Sequence, residues 1–234
     1  MPPQSQKTSE PKSNPGGNVA RIVLVDDHPM VRERLAEVIE RQLDLAVCGE
    51  AEGIHDALKV IAATSPNLAI IDLSLKDGFG LDLVHEVRER HPKVAVLVLT
   101  MFESALYAER SLRAGALGYL TKREATTKIL EAIRTVLRGE PYLSAGLAVR
   151  VAAEMSGQRL SPTTIPLSAL SDRELEVFRL IGEGRGNREI AAQLHVDVRT
   201  VETYRNRIKE KLGLKSSGDV LKHAIEWKQG GEGI

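Results

Sequence analysis

Cysteine is almost absent from this sequence. The single cysteine, Cys48, lies in an apolar stretch (LAVCGEA). An internal disulfide is therefore excluded, and no cysteine pair is available to bind zinc. We expect Cys48 to be a small buried core residue.

The chain also lacks an excess of charge and lacks long apolar runs. Its 32 Lys and Arg residues balance 32 Asp and Glu residues, so the net charge predicts neither a nucleic-acid partner nor a membrane partner. No run approaches the roughly 18 apolar residues that span a bilayer, and the N-terminus lacks the apolar core of a signal peptide. We therefore expect a cytoplasmic protein with no membrane partner.

The 234 residues are enough for two small domains. Residues 1–18 contain Pro, Ser, Gly and Lys with almost no apolar side chains, so we expect a disordered tail. Residues 141–167 contain three prolines and one short helical stretch around 145–155, and we interpret them as a linker. The predicted domains are therefore residues 19–140 and 168–230.

In residues 19–140, short apolar runs alternate with longer amphipathic stretches, which predicts strands alternating with helices. Five nearly all-apolar strands indicate a parallel sheet that is covered on both faces. A flavodoxin-like, doubly wound α/β fold fits that count. The expected strands are residues 20–25, 45–49, 68–72, 94–99 and 117–120, and the helices should begin near Pro29, Gly53, Gly80, Glu103 and Glu124.

Polar side chains follow these predicted strands, at the edge of the sheet where ligands bind in such folds. They are Asp26 and Asp27 after the first strand, Asp72 at the third, Thr100 at the fourth and Lys122 just past the fifth. Three carboxylates at one edge would repel one another without a cation, and oxygen ligands suit Mg²⁺. A hydroxyl and an ammonium group add the positioning and charge neutralisation that phosphoryl transfer requires.

The motifs VDDHP, IIDLSL, VLT and GYLTK, in that order and on those strands, resemble the receiver domains of response regulators over about 120 residues. The resemblance implies that Asp72 is the phosphoacceptor and that Thr100 and Lys122 each contact a phosphoryl oxygen. The implied Mg²⁺ ligands are Asp26, Asp27, Asp72 and the carbonyl oxygen of Ser74. Tyr119 occupies the position of an aromatic residue that rotates as the threonine is drawn to the phosphate, with ordinary packing as the alternative.

The chain departs from the receiver pattern at two positions. Lys76 stands four residues after the phosphoacceptor, where many receivers have proline, and Met101 follows Thr100 where a small residue is usual. Neither departure removes a chemical group from the site. His28 follows the acidic pair, and we interpret it as a solvated loop residue.

Two other classes of protein use related residues. Phosphatases of the haloacid dehalogenase type combine Asp, Mg²⁺, a hydroxyl and a lysine, but they typically need a second Asp two residues after the nucleophile, where this chain has Ser74. A receiver-like interaction module that is never phosphorylated tends to lose an acidic ligand, the acceptor or the lysine, and all are present here. Acetyl phosphate or beryllofluoride, with and without Mg²⁺, distinguishes the three classes.

Helical patterns without strand patterns predict a second, all-α domain in residues 168–230. Ser171 and Glu174 form a predicted capping box, and Asp197 is a suitable N-cap for the third helix. The tight turn before that helix suggests a helix-turn-helix. Its predicted core face contains Val201, Tyr204, Ile208 and Leu212.

Positive charge is concentrated on this third helix. Residues 199–215 contain six basic and two acidic side chains, a local charge of +4 in a neutral chain, which indicates contacts to DNA phosphates. The stretch from LSDREL to GLKS resembles LuxR-type DNA-binding domains over some 47 residues. A receiver joined to this domain resembles the NarL/FixJ family of response regulators.

The resemblance to that family implies both partners and DNA contacts. A sensor histidine kinase would phosphorylate Asp72 and thereby control sequence-specific binding of double-stranded DNA and transcription, and the phosphorylated protein should form a homodimer. The residues implied at base edges are Glu202, Thr203 and Asn206, and those implied at phosphates are Arg199, Arg207 and Lys209.

Overall fold

The computed structural model describes residues 19–155 and 167–231. The expected disordered tail (1–18) and part of the expected linker (156–166) lie outside the described residues. The elements of the first domain are β1 (Ala20–Val25), α1 (Pro29–Glu40), β2 (Leu45–Ala51), α2 (Ile54–Thr64), β3 (Leu68–Ile71), β4 (Ser74–Leu75), β5 (Gly78–Phe79), α3 (Gly80–Arg90), β6 (Ala95–Thr100), α4 (Ala105–Arg113), β7 (Gly118–Thr121), α5 (Lys122–Leu137), β8 (Tyr142–Leu143) and α6 (Ala145–Met155).

One parallel sheet organises the first domain, with the strand order β2-β1-β3-β6-β7-β8, and β4 pairs with β5 in a separate antiparallel hairpin. The central strands consist of buried Val, Ile, Leu and Ala because helices cover both faces of the sheet. The direction of winding reverses between β1 and β3, which opens a crevice at their carboxyl ends. The five expected strands and the doubly wound α/β fold are confirmed.

Two details differ from the sequence-based expectation. The sheet has a sixth strand, β8, which lies inside the expected linker and pairs with β7. The helical stretch expected around 145–155 is α6, and its residues Leu147 and Val151 are buried in the core. The first part of the expected linker therefore packs with the first domain. Cys48 is only partly buried, because β2 is an edge strand of the sheet.

The second domain is all-α, as expected. After a short 3₁₀ turn (Leu167–Ala169) it contains α7 (Asp172–Gly182), α8 (Asn187–Leu194), α9 (Val198–Lys211) and α10 (Ser217–Gly231). The capping box is present, since Glu174 accepts a hydrogen bond from the backbone N–H of Ser171 at 2.7 Å and donates its own N–H to the Ser171 hydroxyl at 3.3 Å. A left-handed residue, His195 (φ 53°), ends α8 and starts the tight turn into α9.

None of the helices in the described part of the chain is long and apolar enough to cross a bilayer.

Candidate functional site

The carboxylates of Asp26 and Asp72 lie side by side because they follow neighbouring parallel strands. Val25 at the end of β1 is paired with Ile71 at the end of β3, and the backbone N–H of Asp72 donates to the carbonyl of Val25 at 2.8 Å. Both aspartates are only 3% exposed. The sheet therefore places two acidic groups together in a buried position.

Lys122 joins these two carboxylates. It is the first residue of α5, directly after β7, and its Nζ lies 2.7 Å from Asp26 Oδ2 and 2.7 Å from Asp72 Oδ2. Its side chain is 10% exposed. One ammonium group thus balances part of the negative charge of the pair, as a buried charge requires.

Protonation of the cluster reflects both burial and charge. Burial raises the pKa of Asp72, and repulsion from Asp26 adds to this rise, although Lys122 and the backbone of Ser74 favour the charged form. Burial also disfavours the charged form of Lys122, but attraction to Asp72 and hydrogen bonds to both carboxylates outweigh it and raise the pKa of the ammonium group. The lysine therefore stays charged at neutral pH.

The acidic edge can hold a cation. Asp26, Asp27, His28 and Asp72 each offer a ligand atom, and these atoms lie within 4.8 Å of one another. Asp72 Oδ1 is buried and has no hydrogen-bond partner among the described residues. Carboxylate oxygens in this number suit Mg²⁺, so the residues present fit the ion that the sequence resemblance implies.

His28 belongs to this group, although the sequence alone suggested only a solvated loop residue. Its side chain is 63% exposed, and its Nδ1 lies 2.6 Å from Asp27 Oδ1 and 3.2 Å from Asp26 Oδ1. The remaining expected ligand, Ser74, begins β4 and lies two residues after Asp72.

Gly80 is a site residue that carries no functional signal in the sequence. A Cβ atom at this position would lie 2.0 Å from the carbonyl oxygen of Asp72 and 2.8 Å from Cα of Leu73. The N–H of Gly80 donates to the carbonyl of Leu73 at 2.8 Å. The start of α3 therefore packs directly on the backbone that carries Asp72, and only glycine fits there.

Thr100 and Tyr119 meet at the backbone of Phe102. Thr100 is 1% exposed, and its Oγ1 accepts a long hydrogen bond from the N–H of Phe102 at 3.5 Å. The Tyr119 hydroxyl is buried and donates to the carbonyl of Phe102 at 2.7 Å. Burial, together with the charges of Asp72 and Glu103, raises the pKa of Tyr119 well above its usual value, so the phenol remains a donor.

The α9 helix presents the residues that the sequence assigned to DNA. Of the six expected DNA contacts, Lys209 is half-buried and the other five are exposed, namely Arg199, Glu202, Thr203, Asn206 and Arg207. The expected core residues Val201, Ile208 and Leu212 are buried, and Tyr204 is partly buried. One basic residue of the segment has a different role. Lys211 lies 2.6 Å from Glu174 Oε2 and so joins α9 to the capping box of α7.

Comparison with known proteins places both halves of the chain. Residues 22–134 match the response regulator receiver domain, and residues 168–224 match the luxR family of bacterial regulatory proteins. The chain is 37% identical to Oxygen regulatory protein NreC from Staphylococcus aureus strain JH9 over 212 residues, which cover 89% of this chain and 98% of NreC. The chain belongs to the NarL/FixJ family of response regulators. It is a two-component response regulator that controls transcription.

Solved structures of response regulators share this architecture. A LuxR-family response regulator from Aurantimonas sp. SI85-9A1 is 33% identical with a TM-score of 0.56, and the match covers 59% of this chain and 99% of that one. RcsB from Salmonella enterica serovar Typhimurium, bound to a promoter in the presence of a phosphomimetic, is 24% identical with a TM-score of 0.65 over 89% of this chain and 100% of its own. The likeness to RcsB shows the fold.

Aromatic side chains join the two domains of this response regulator. Tyr107 on α4 stacks on Phe102 with ring centroids 4.7 Å apart, and its ring also lies 5.9 Å from that of Trp227 on α10. Trp227 in turn lies 5.9 Å from Phe178 on α7. An aromatic path therefore runs from the loop after Thr100 into the core of the helical domain.

Arginines reinforce this contact between the domains. Arg110 on α4 is 11% exposed and donates to Asp172 Oδ1 at 2.5 Å and to the carbonyls of Leu167 and Leu170 at 3.1 and 2.6 Å. The guanidinium of Arg179 on α7 lies 5.1 Å from the centroid of the Phe102 ring, at cation–π distance. The sequence carries no local signal for these pairs because their members are far apart in the chain.

Proposed function

We propose that Asp72 is the phosphoacceptor of this response regulator and that the receiver takes part in its own phosphorylation. A carboxylate oxygen of Asp72 attacks phosphorus, an acyl phosphate forms, and the phosphorus–nitrogen bond of a phosphohistidine breaks. The electron pair returns to the imidazole of the sensor kinase. The observation that supports this proposal is the bridge of Lys122 between the buried carboxylates of Asp26 and Asp72.

The metal requirement belongs to the same proposal. Asp26, Asp27, Asp72 and the carbonyl oxygen of Ser74 would hold Mg²⁺. When bound, the ion supplies neutralisation of the negative charge that collects around the phosphoryl group. Residues of the chain would bind and position the phosphoryl group. Lys122 and Thr100 would contact its oxygens, and the absence of a side chain at Gly80 leaves room for the backbone of Asp72.

The experiment is labelling with acetyl phosphate and MgCl₂, followed by intact-protein mass spectrometry. We expect the parent to gain one phosphoryl group and Asp72→Asn to gain none, because an amide cannot form an acyl phosphate. Asp56→Asn, at an exposed carboxylate on α2, is the matched control and should label like the parent. Undiminished labelling of Asp72→Asn would contradict the assignment. Continuous release of phosphate would indicate a phosphatase, and no reaction of the parent would indicate an unphosphorylated module.

The contact between the domains suggests how phosphorylation reaches the output. Movement of Thr100 toward the phosphoryl group would withdraw its Oγ1 from the N–H of Phe102. Because Phe102 packs on Tyr107 and beneath Arg179, a change at its backbone weakens the interface with α7. Tyr119 holds the carbonyl of the same residue and would follow it. Phosphorylation would thereby separate the domains.

The DNA output would use α9, with Glu202, Thr203 and Asn206 at base edges and Arg199, Arg207 and Lys209 at phosphates. The base-reading side chains are exposed while the domains are packed together. The receiver also contacts the turn before α9, because His195 Nε2 lies 3.3 Å from the carbonyl oxygen of Lys76. Separation of the domains would remove this contact and would let two copies pair on double-stranded DNA. Sedimentation with and without beryllofluoride tests this, since we expect a shift toward the homodimer. Identical sedimentation in both states would leave only release of the DNA-binding domain.

A further inference from the structure

Arg32 contacts the backbone of the β1–α1 loop, which carries Asp26 of the acidic site. It lies in the first turn of α1, and its side chain is 11% exposed. Its Nη1 donates to the backbone carbonyl of Asp26 at 2.5 Å. Its other two nitrogens face carboxylates of the neighbouring strand and loop, with Nε 3.1 Å from Glu50 Oε2 and Nη2 3.3 Å from Glu52 Oε1. One guanidinium thus ties the β1–α1 loop to the end of β2.

Lys76 extends this set of contacts to the loop of the phosphoacceptor. It lies in the turn between β4 and β5, four residues after Asp72, and its Nζ is 2.5 Å from Glu52 Oε2. Attraction within this ion pair, led by the hydrogen bond between the two side chains, lowers the pKa of Glu52 and raises the pKa of Lys76. Arg32, Glu50, Glu52 and Lys76 therefore form one connected set of ion pairs. Through this set Lys76, at a position where many receivers have proline, is linked to the residue that holds the Asp26 loop.

We infer that Arg32 is a positioning residue that sets Mg²⁺ affinity by holding the Asp26 loop, and that Lys76 assists it through Glu52; the inference rests on the proposed metal-dependent phosphorylation. The carbonyl that Arg32 holds belongs to the same residue as a proposed metal ligand, so a shift of this backbone moves that carboxylate. Residues that do not bind the metal themselves but orient its ligands typically contribute about tenfold to a hundredfold in metal affinity.

The direction of the effect separates positioning from electrostatics. Arg32 and Lys76 are cations near a cation site, so by charge alone their removal would strengthen Mg²⁺ binding. If they position the loops, their removal weakens it. Arg32 is buried and its effect should be large, whereas the Lys76–Glu52 pair is about half exposed and should be weak and sensitive to salt.

The experiment is a titration of the full chain with MgCl₂, read as the rise in melting temperature, from which an apparent Kd is fitted. We expect Arg32→Met and Arg32→Lys to raise the Kd about tenfold to a hundredfold. Lys76→Met should raise it about twofold to fivefold at low salt and not at high salt. Arg34→Met is the matched control, since Arg34 lies on the same helix and is exposed and paired with Glu37. Its Kd should equal that of the parent.

The outcomes distinguish this inference from the proposed function. Near-ultraviolet circular dichroism shows which variants are folded. If neither Arg32 variant folds, the Kd of Lys76→Met for Mg²⁺ tests whether these contacts position the site. Unchanged or tighter Mg²⁺ binding by the folded variants, with binding lost in the Asp26→Ala/Asp27→Ala double variant, overturns the positioning role alone. A parent that does not respond to MgCl₂, or a double variant that responds like the parent, refutes the proposed metal site and this inference with it.

Discussion

Replacement of Arg110 by methionine should open the contact between the two domains. The variant keeps an unbranched apolar stem on α4 but loses the donors to Asp172, Leu167 and Leu170. Hydrogen bonds from a charged group contribute about 1.5 to 3 kcal/mol each. Because such contributions are not additive, we take about 2 to 4 kcal/mol for the set.

This free energy corresponds to a shift of roughly thirtyfold to a thousandfold in the ratio of separated to packed domains. Trp227 is the only tryptophan of the chain and lies between Tyr107 and Phe178 at the interface, so its fluorescence reports on the separation without a label. We expect Arg110→Met to shift the emission of Trp227 to longer wavelength, and to increase the radius of gyration in small-angle X-ray scattering.

Arg113→Met is the matched control for this prediction. Arg113 lies on the same helix, its side chain is 70% exposed, and it pairs with Glu109 within α4. We expect its emission and scattering to equal those of the parent. If Arg110→Met also has the emission and radius of gyration of the parent, the arginine does not hold the domains together, and our magnitude for the interface is wrong.

Other predictions test single features of the structure. Gly80→Ala should slow acetyl phosphate labelling of Asp72 by about a hundredfold, because its Cβ displaces that backbone; an unchanged rate in mass spectrometry would contradict this close packing. Although burial opposes it, hydrogen bonding to a lysine and to the helix cap lowers the pKa of Glu174. Its charge therefore stabilises the fold above the usual glutamate pKa, and this stability is lost as pH falls through the lower folded value. Urea unfolding of Glu174→Gln should show a flatter acid dependence, and equal slopes for both proteins would exclude the role. Asn206→Ala should cost about 1 to 3 kcal/mol at the preferred DNA site only, whereas Lys209→Ala should weaken all duplexes equally and reduce the salt slope by about one. Titrations on the preferred and a scrambled duplex decide between these patterns.

The sheet and its polar edge could be predicted from the sequence for a physical reason. A parallel strand is buried on both faces and reads as an uninterrupted apolar run, so a polar residue at its end is conspicuous. Asp26, Asp72, Thr100 and Lys122 were singled out in this way, and the fold brings Asp26, Asp72 and Lys122 into direct contact. Periodicity likewise predicted the buried face of α9.

Contacts between distant segments were not predictable from local pattern. Lys211 was counted among the basic residues of the DNA-binding segment, but the structure pairs it with Glu174 on another helix. Arg32 has no local signal in the sequence, because its contacts are with two glutamates, Glu50 and Glu52, that β2 brings beside it. Strand β8 inside the expected linker was not predictable for a similar reason, since only the neighbouring strand β7 makes Tyr142 and Leu143 a strand.

The apolar core does not stop at the boundary between the domains. One cluster contains Val23 and Tyr107 of the receiver together with Phe178 and Val220 of the helical domain. Domains that share apolar contacts melt together, whereas domains with separate cores melt independently. The packed form should therefore show a single cooperative heat-absorption peak. Separation of the domains would expose this shared surface and divide the peak into two, so calorimetry would report the signalling state through folding cooperativity.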